Sequence, residues 1–239
     1  MISLVISQPM FFPWVGIFEQ IRLADIYVHY DDVQLPQGRS FMSRVQIKTK
    51  DGIKWLTVPL KRGVSGPLIK DSYITYEERW VDNHLKFLKS NFQKSPFCDE
   101  MTDLVESIYS LKFETISQLN SYAIEVISKY FRLGEKIQFF TSSALELKST
   151  SSQHLLDIVK IYKGDNYITG WGAKNYLDYS LFEKENIDVQ YMDYEKKEYS
   201  QLYGDFTPFV SILDLIANTG QSGEQFIVSK SKTSKTFIP

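Results

Sequence analysis

The sequence has a single cysteine, Cys98, and only three histidines, His29, His84 and His154. One thiol excludes an internal disulfide framework and any zinc or iron–sulfur site built from several cysteines. The histidines are too scattered to suggest a His-rich metal site, and no metal is expected. Charge of one sign is also missing. Lys and Arg total 27 against 29 Asp and Glu, a net charge of -2, so no overall basic field draws the chain to DNA or anionic lipid. No apolar run approaches the ~18 residues of a membrane span. The opening MISLVISQPMFF has no basic leader before its apolar stretch, which predicts a cytoplasmic chain without a secretory signal. Neither a Gly-x-Gly-x-x-Gly fingerprint nor a Walker loop is present, and there is no internal repeat, heptad pattern or low-complexity linker.

What is present is an ordinary globular composition, 43% hydrophobic and 23% charged over 239 residues, enough to bury a sizeable core without cross-links. Residues 2–7 (ISLVIS) are a short β-branched run, the profile of a buried strand. The chain then passes Pro9, Pro13 and Gly16 into a helix over 17–24 and a second strand over 25–30, the size of one βαβ unit. After a polar loop, strands are predicted over 45–49 and 54–60 around the Asp51-Gly52 turn signal, with one more short strand over 72–75. Helical periodicity follows from 77 to about 130, in three helices separated near Pro96 and residue 110. A helix over 151–162, a strand over 165–169, a short strand over 189–191 and a helix over 208–218 complete the pattern. The closing SKSKTSKTFIP reads as a solvated tail. Strands and helices alternate at both ends, which predicts an α/β fold with a mostly parallel, Rossmann-like central sheet and a helical insertion. The expected parts are 1–76, a helical 77–163, and 164–239 completing the first.

The first strand-to-helix turn, residues 7–16, is where a βαβ fold usually binds ligand. Ser7, Gln8, Trp14 and Gly16 are its candidate binding residues, against the plainer alternative of a rigid turn with Trp14 in the core. Asp31 and Asp32 close the second strand as candidate hydroxyl acceptors, a magnesium ligand or general bases, or simply as turn-forming acids. Gln34, Arg39, Arg44 and Lys48 follow them, with Lys61 and Arg62 ending another strand. Carboxylates and guanidinium groups crowded after a strand end suit a phosphorylated, hydroxyl-rich small molecule. His84 shares a helix face with Trp80; it offers an acid or base near neutrality, although a half-buried histidine beside an aromatic ring is the favoured reading. His29 and His154 have no supporting neighbours in sequence, and Cys98 reads as inert packing. Gly170, Lys174 and Tyr176 mark a second strand-to-loop turn. Asp214, on an otherwise apolar helix, needs a buried partner or faces a cleft.

The blocks QPMFFPWVGIFEQI, ADIYVHYDDVQ, RSFMSRVQIKT, KWLTVPLK, YITGWGAKNYLD and FTPFVSILDLIANTG, in that order over nearly the whole chain, resemble the WbqC-like protein family. That family is found in bacterial gene clusters for O-antigen, the lipopolysaccharide side chain, and for other surface polysaccharides. The resemblance implies a cytoplasmic transferase acting on a nucleotide sugar, with N-acyl or aminoacyl (glycyl) transfer to an amino sugar as one suggested activity. It implies motif roles for Gln8, Pro9, Pro13, Trp14, Gly16, Asp31, Asp32, Gln34, Arg39, Arg44, Lys48, Gly170, Lys174 and Tyr176. The family pattern has His before Gln-Pro where this chain has Ser7. The base is therefore expected elsewhere, at Asp31, Asp32 or His84, unless the substrate differs or activity is reduced. The cofactor stays open between ATP with magnesium and an activated acyl or aminoacyl donor. Three alternatives remain beside the transferase: an ATP-dependent nucleotidyl transferase or ligase, a non-catalytic sugar-nucleotide-binding module, and, disfavoured by the charge balance, a protein engaging aminoacyl-tRNA.

Overall fold

The computed structural model describes residues 1–38, 40–61, 66–77, 79–134 and 136–236. Its centre is a six-stranded sheet of β1 (Ser3–Ser7), β2 (Ile26–His29), β5 (Gln138–Thr141), β6 (Asn166–Thr169), β7 (Asp188–Asp193) and β8 (Lys230–Thr233), in the order β5-β2-β1-β6-β7-β8. The first five are parallel and β8 is antiparallel to β7. A separate antiparallel hairpin joins β3 (Arg44–Thr49) to β4 (Gly52–Thr57).

Parallel strands are covered on both faces and therefore read as continuous apolar runs. Successive side chains of β1 alternate between two cores. Val5 enters one with Ile17, Phe18 and Ile21 of α1 (Val15–Leu23). Leu4 and Ile6 enter the other with Leu155, Leu156, Ile158 and Val159 of α5 (Ser151–Ile161) and Phe182 of α6 (Tyr179–Lys184). The first core also takes in α2 (Trp80–Phe92), α3 (Cys98–Tyr109), α4 (Ile116–Tyr130) and α7 (Ile212–Thr219). Thr115 opens α4 with a reciprocal capping box to Gln118, and the Ser211 hydroxyl accepts the Leu213 N–H at the start of α7.

The mixed α/β class and the mostly parallel sheet are as the sequence predicts, and helices α2 to α4 stand between β4 and β5 as the expected insertion. Four elements differ. The tail contains β8: Ser231 Oγ donates to Gln190 Oε1 at 2.7 Å, Thr233 Oγ1 to Asp188 Oδ1 at 2.6 Å, and Lys232 pairs with Asp193 at 2.7 Å. Its Lys-Ser-Lys-Thr alternation turns lysines outward, a pattern suited to a solvated sheet edge and indistinguishable from a tail by composition. Residues 72–75 make isolated bridges, Leu60 to Ile74 and Tyr73 to Thr115, in place of a strand. The edge strand β5 and the short helix α6 carry too few residues to print a period and were not expected.

Candidate active site at the sheet's reversal point

From β1 the chain builds outward through β2 to β5, then crosses back to place β6 on the other flank of β1. At such a reversal the connections leaving the two adjacent strands part in opposite directions and open a crevice at their carboxyl ends. Here the crevice is a cleft of about 640 Å³. Ser7 and Gln8 line it from the end of β1, Thr169, Gly170, Trp171 and Tyr176 from the end of β6, and Trp14, Gln20, Tyr30, Tyr194 and Lys196 from the surrounding elements.

The turn leaving β1 is held in a demanding shape. Phe12 has φ of 37°, in the region where non-glycine residues are strained. Neighbouring backbone fixes it: Phe11 N–H donates to Phe41 O at 3.0 Å, Ile212 N–H to Pro13 O at 2.8 Å, and Ser211 Oγ to Phe12 O at 2.8 Å. Asn120 Nδ2, wholly buried, donates to Pro9 O and Met42 O, both at 2.8 Å. Gly16 is required by the same turn, because a Cβ there would lie 2.2 Å from the Trp14 indole. The indole therefore rests over the start of α1, where it meets Tyr194 at 4.9 Å and Phe209 at 5.5 Å between ring centres. Gln20 Nε2 donates to Tyr194 Oη at 2.6 Å, and burial pushes the Tyr194 phenol up to about 12. Burial also raises Tyr30 and Tyr176, so the cleft's phenols are neutral hydroxyls at physiological pH. Aromatic faces, amides and hydroxyls in one crevice suit a hydroxyl-rich ring compound.

Beyond Tyr30, which lines both, a second cleft of about 500 Å³ opens at the ends of β2 and β5. Asp31 and Asp32 part company at its floor. Asp31 is buried, its Oδ2 accepting from Ser117 Oγ at 2.7 Å and its Oδ1 from Ser143 N–H at 3.2 Å. Ser142 Oγ accepts the Asp31 N–H at 3.1 Å and directs its own hydrogen to Asp32 Oδ1, the shorter of its two carboxylate contacts. Asp32 Oδ2 then lies 3.1 Å from His154 Nε2. Because Ser149 O, 2.8 Å from Nδ1, can only accept, Nδ1 carries the hydrogen. The Nε2 edge therefore faces the carboxylate: a charge pair when the ring is protonated, and a lone pair against an anion when it is not. The approach to Oδ2 is not aligned for a hydrogen bond, and Nε2 is buried without a hydrogen-bond partner, so of the pair it is the Asp32 carboxylate that faces the cleft. Glu146 (φ 50°) and Ser151 (φ 55°), both lining this cleft, hold the left-handed region without being glycine, a local strain of the kind stored around functional sites.

Of the residues singled out in the sequence, the structure gathers Ser7, Gln8, Trp14, Gly170 and Tyr176 at the first cleft, with Gly16 beneath Trp14, and Asp32 at the second. Others lie apart from both. His84 is buried as a neutral ring: Nε2 donates to Thr57 O at 3.0 Å and Nδ1 accepts from Tyr109 Oη at 3.0 Å. Burial pulls it down to about 4, and it braces α2 against β4 and α3. Lys48 is buried with its ammonium on Gln201 Oε1 (2.8 Å), Gly204 O and Asp205 O, saturated by protein oxygens. Arg44 stacks its guanidinium 4.5 Å from the centre of Trp55. Gln34 is exposed and bridges to Leu68, while Lys174 is exposed with its ammonium 6.0 Å from the Trp171 ring centre. Arg39 and Arg62 lie outside the described residues. His29 and His154, without supporting neighbours in sequence, both have an acid at hand in the fold, Glu125 at 3.2 Å and Asp32 at 3.1 Å. The only signal for His154 in the sequence is its place in the first turn of a helix after a polar loop.

The WbqC-like protein family matches residues 8–225. The uncharacterized protein Rv1507c of Mycobacterium tuberculosis (strain ATCC 25618 / H37Rv) is 30% identical over 228 residues, covering 94% of this chain and 97% of the relative. No solved structure matches.

Proposed function

The chain belongs to the WbqC-like protein family, and from that premise we propose that it is a transferase of surface-polysaccharide (O-antigen) biosynthesis, moving an acyl or aminoacyl group onto the amine of a nucleotide-linked amino sugar. The observation that carries the reading is the Asp32–His154 pair, a cleft-lining carboxylate backed by an imidazole 3.1 Å away, beside a cleft of neutral hydroxyls, amides and aromatic faces. In the proposed step the sugar amine nitrogen attacks the donor's carbonyl carbon. One N–H proton passes to the Asp32 carboxylate, which lines the cleft and is held in place by Ser142 and the His154 ring. The tetrahedral adduct then collapses, expelling the leaving group, which takes that proton back. Ser149 O fixes the ring's tautomer throughout. Asp31 is a positioning residue that holds the 142–145 turn and, through Ser142, the Asp32 carboxylate.

The reading is tested by thermal melting against UDP- and dTDP-linked amino sugars, the bare nucleotides, and ATP with magnesium. A ligand at 100 times its dissociation constant adds about 2.7 kcal/mol of stability, a shift of several degrees. An amino-sugar nucleotide is expected to give that shift. His154→Gln and Asp32→Asn are each expected to lower acyl transfer by roughly 10²–10⁴-fold while leaving the shift in place. Undiminished turnover in both variants would remove the proposed base, and a shift with ATP and magnesium alone would favour a ligase.

A further inference from the structure

Beside the polar cleft lies a third cavity, of about 270 Å³, walled by Met10, Pro13, Trp14, Phe41, Val45 and Phe209. Its lining side chains hold no charge and no polar group other than the Trp14 indole N–H. Phe41 and Phe209 remain 45% and 52% exposed in spite of their size, where burial of such rings would ordinarily be favourable. The cavity is pre-formed. Its three rims are the turn after β1, residues 41–46, and residues 209–212, and they are stapled to one another by Phe11 N–H to Phe41 O, Ser211 N–H to Gln46 O, and Ile212 N–H to Pro13 O at 2.8–3.0 Å. Met10, Trp14 and Phe209 line both this cavity and the polar cleft. A ligand whose polar head lies in the cleft can thus lay an apolar extension past the Trp14 indole into the cavity.

Resting on the transferase reading above, we infer that this cavity is the acyl subsite and that the acyl group it takes is a saturated hydrocarbon chain, not an aminoacyl group. An ammonium or a nucleobase edge placed there would surrender its hydration without finding partners, at a cost of several-fold to many-fold in affinity. A methylene chain loses nothing and gains contact with rings that otherwise face water.

The test uses S-acyl-N-acetylcysteamine thioesters, from acetyl to decanoyl, as surrogates of an acyl donor, titrated calorimetrically and by tryptophan fluorescence. Affinity is expected to climb about fourfold per added methylene, the factor set by burying one CH₂, and to level off once the cavity is full. In the Phe41→Ala/Phe209→Ala double variant, with folding confirmed by its melting transition, the climb is expected to disappear. Affinity that stays flat with chain length overturns the acyl assignment. A climb that survives in the double variant places the chain elsewhere and overturns the subsite. Neither result touches the transferase reading, whose own failure is read from the sugar-nucleotide shift and the Asp32→Asn turnover.

Discussion

Histidine and aspartate side chains in this protein owe their behaviour to what surrounds them more than to what they are. His84 and Asp214 are both buried, and burial moves each toward its neutral form in opposite directions. His84 is pulled down to about 4, and Asp214, which accepts from Tyr199 Oη at 3.0 Å and Asn218 Nδ2 at 3.2 Å, is pushed up to about 6. Linkage then gives opposing slopes. As pH falls from 6.5 toward 4, the unfolded chain protonates at His84 before the native one does, and stability is lost. Over nearly the same window, from about 6 down to 3.8, the native Asp214 takes its proton first, and stability is gained. The two contributions largely cancel in the intact protein. Denaturant titrations between pH 4 and 6.5 should therefore show Asp214→Asn losing stability as pH falls and His84→Gln gaining it, with the parent flatter than either. Parallel profiles for all three proteins would refute this opposition. The same residues show what a sequence can disclose. His84 and Trp80 lie a turn apart on one helix, so their contact is legible in the spacing. The Asp32–His154 pair is made by β2, β5 and α5 meeting at the sheet's edge, and no local spacing records a meeting of that kind.

At the scale of single elements, the turn leaving β1 was the most legible part of the site, because two prolines, a tryptophan and a glycine between a strand and a helix make poor packing filler. The sequence could not show that Gly16 exists for the sake of Trp14. Gly16→Ala puts a methyl group where the indole lies and should swing the ring away from Tyr194 and Phe209. Two aromatic contacts at about 0.5–1.5 kcal/mol each exceed the gain from alanine's better helix propensity, at most about 1 kcal/mol. A net loss of about 1 kcal/mol in chemical denaturation and a red-shifted tryptophan emission are expected; an unshifted spectrum would mean the ring is not held this way. β8 was legible only as polarity. Its four residues contribute ladder hydrogen bonds and the Thr233–Asp188 and Ser231–Gln190 contacts, each worth about 1 kcal/mol. Truncation after Ser229 should lower the melting temperature by several degrees and, by uncovering the β7 edge, raise light scattering on warming. A truncated chain that melts with its parent and stays monodisperse would show that β8 adds nothing.

Across the whole molecule, both clefts draw on distant parts of the chain. Ser7 and Gln8 face Thr169 and Gly170 in one, and Asp32 faces His154 in the other. The alternation of strands and helices made the layered architecture readable, but the point at which the sheet reverses is a matter of strand order, which no local pattern encodes. That order also has a consequence in time. The Ile2 N–H is held by the carboxylate of Asp165, 163 residues further on, beside the pairing of β1 with β6. A ribosome adding 5–20 residues per second needs roughly 8–30 s to synthesise that interval. Throughout it β1, one of the two central strands of the finished sheet, has an open flank, and the nascent chain must keep that flank from foreign partners until its last third emerges.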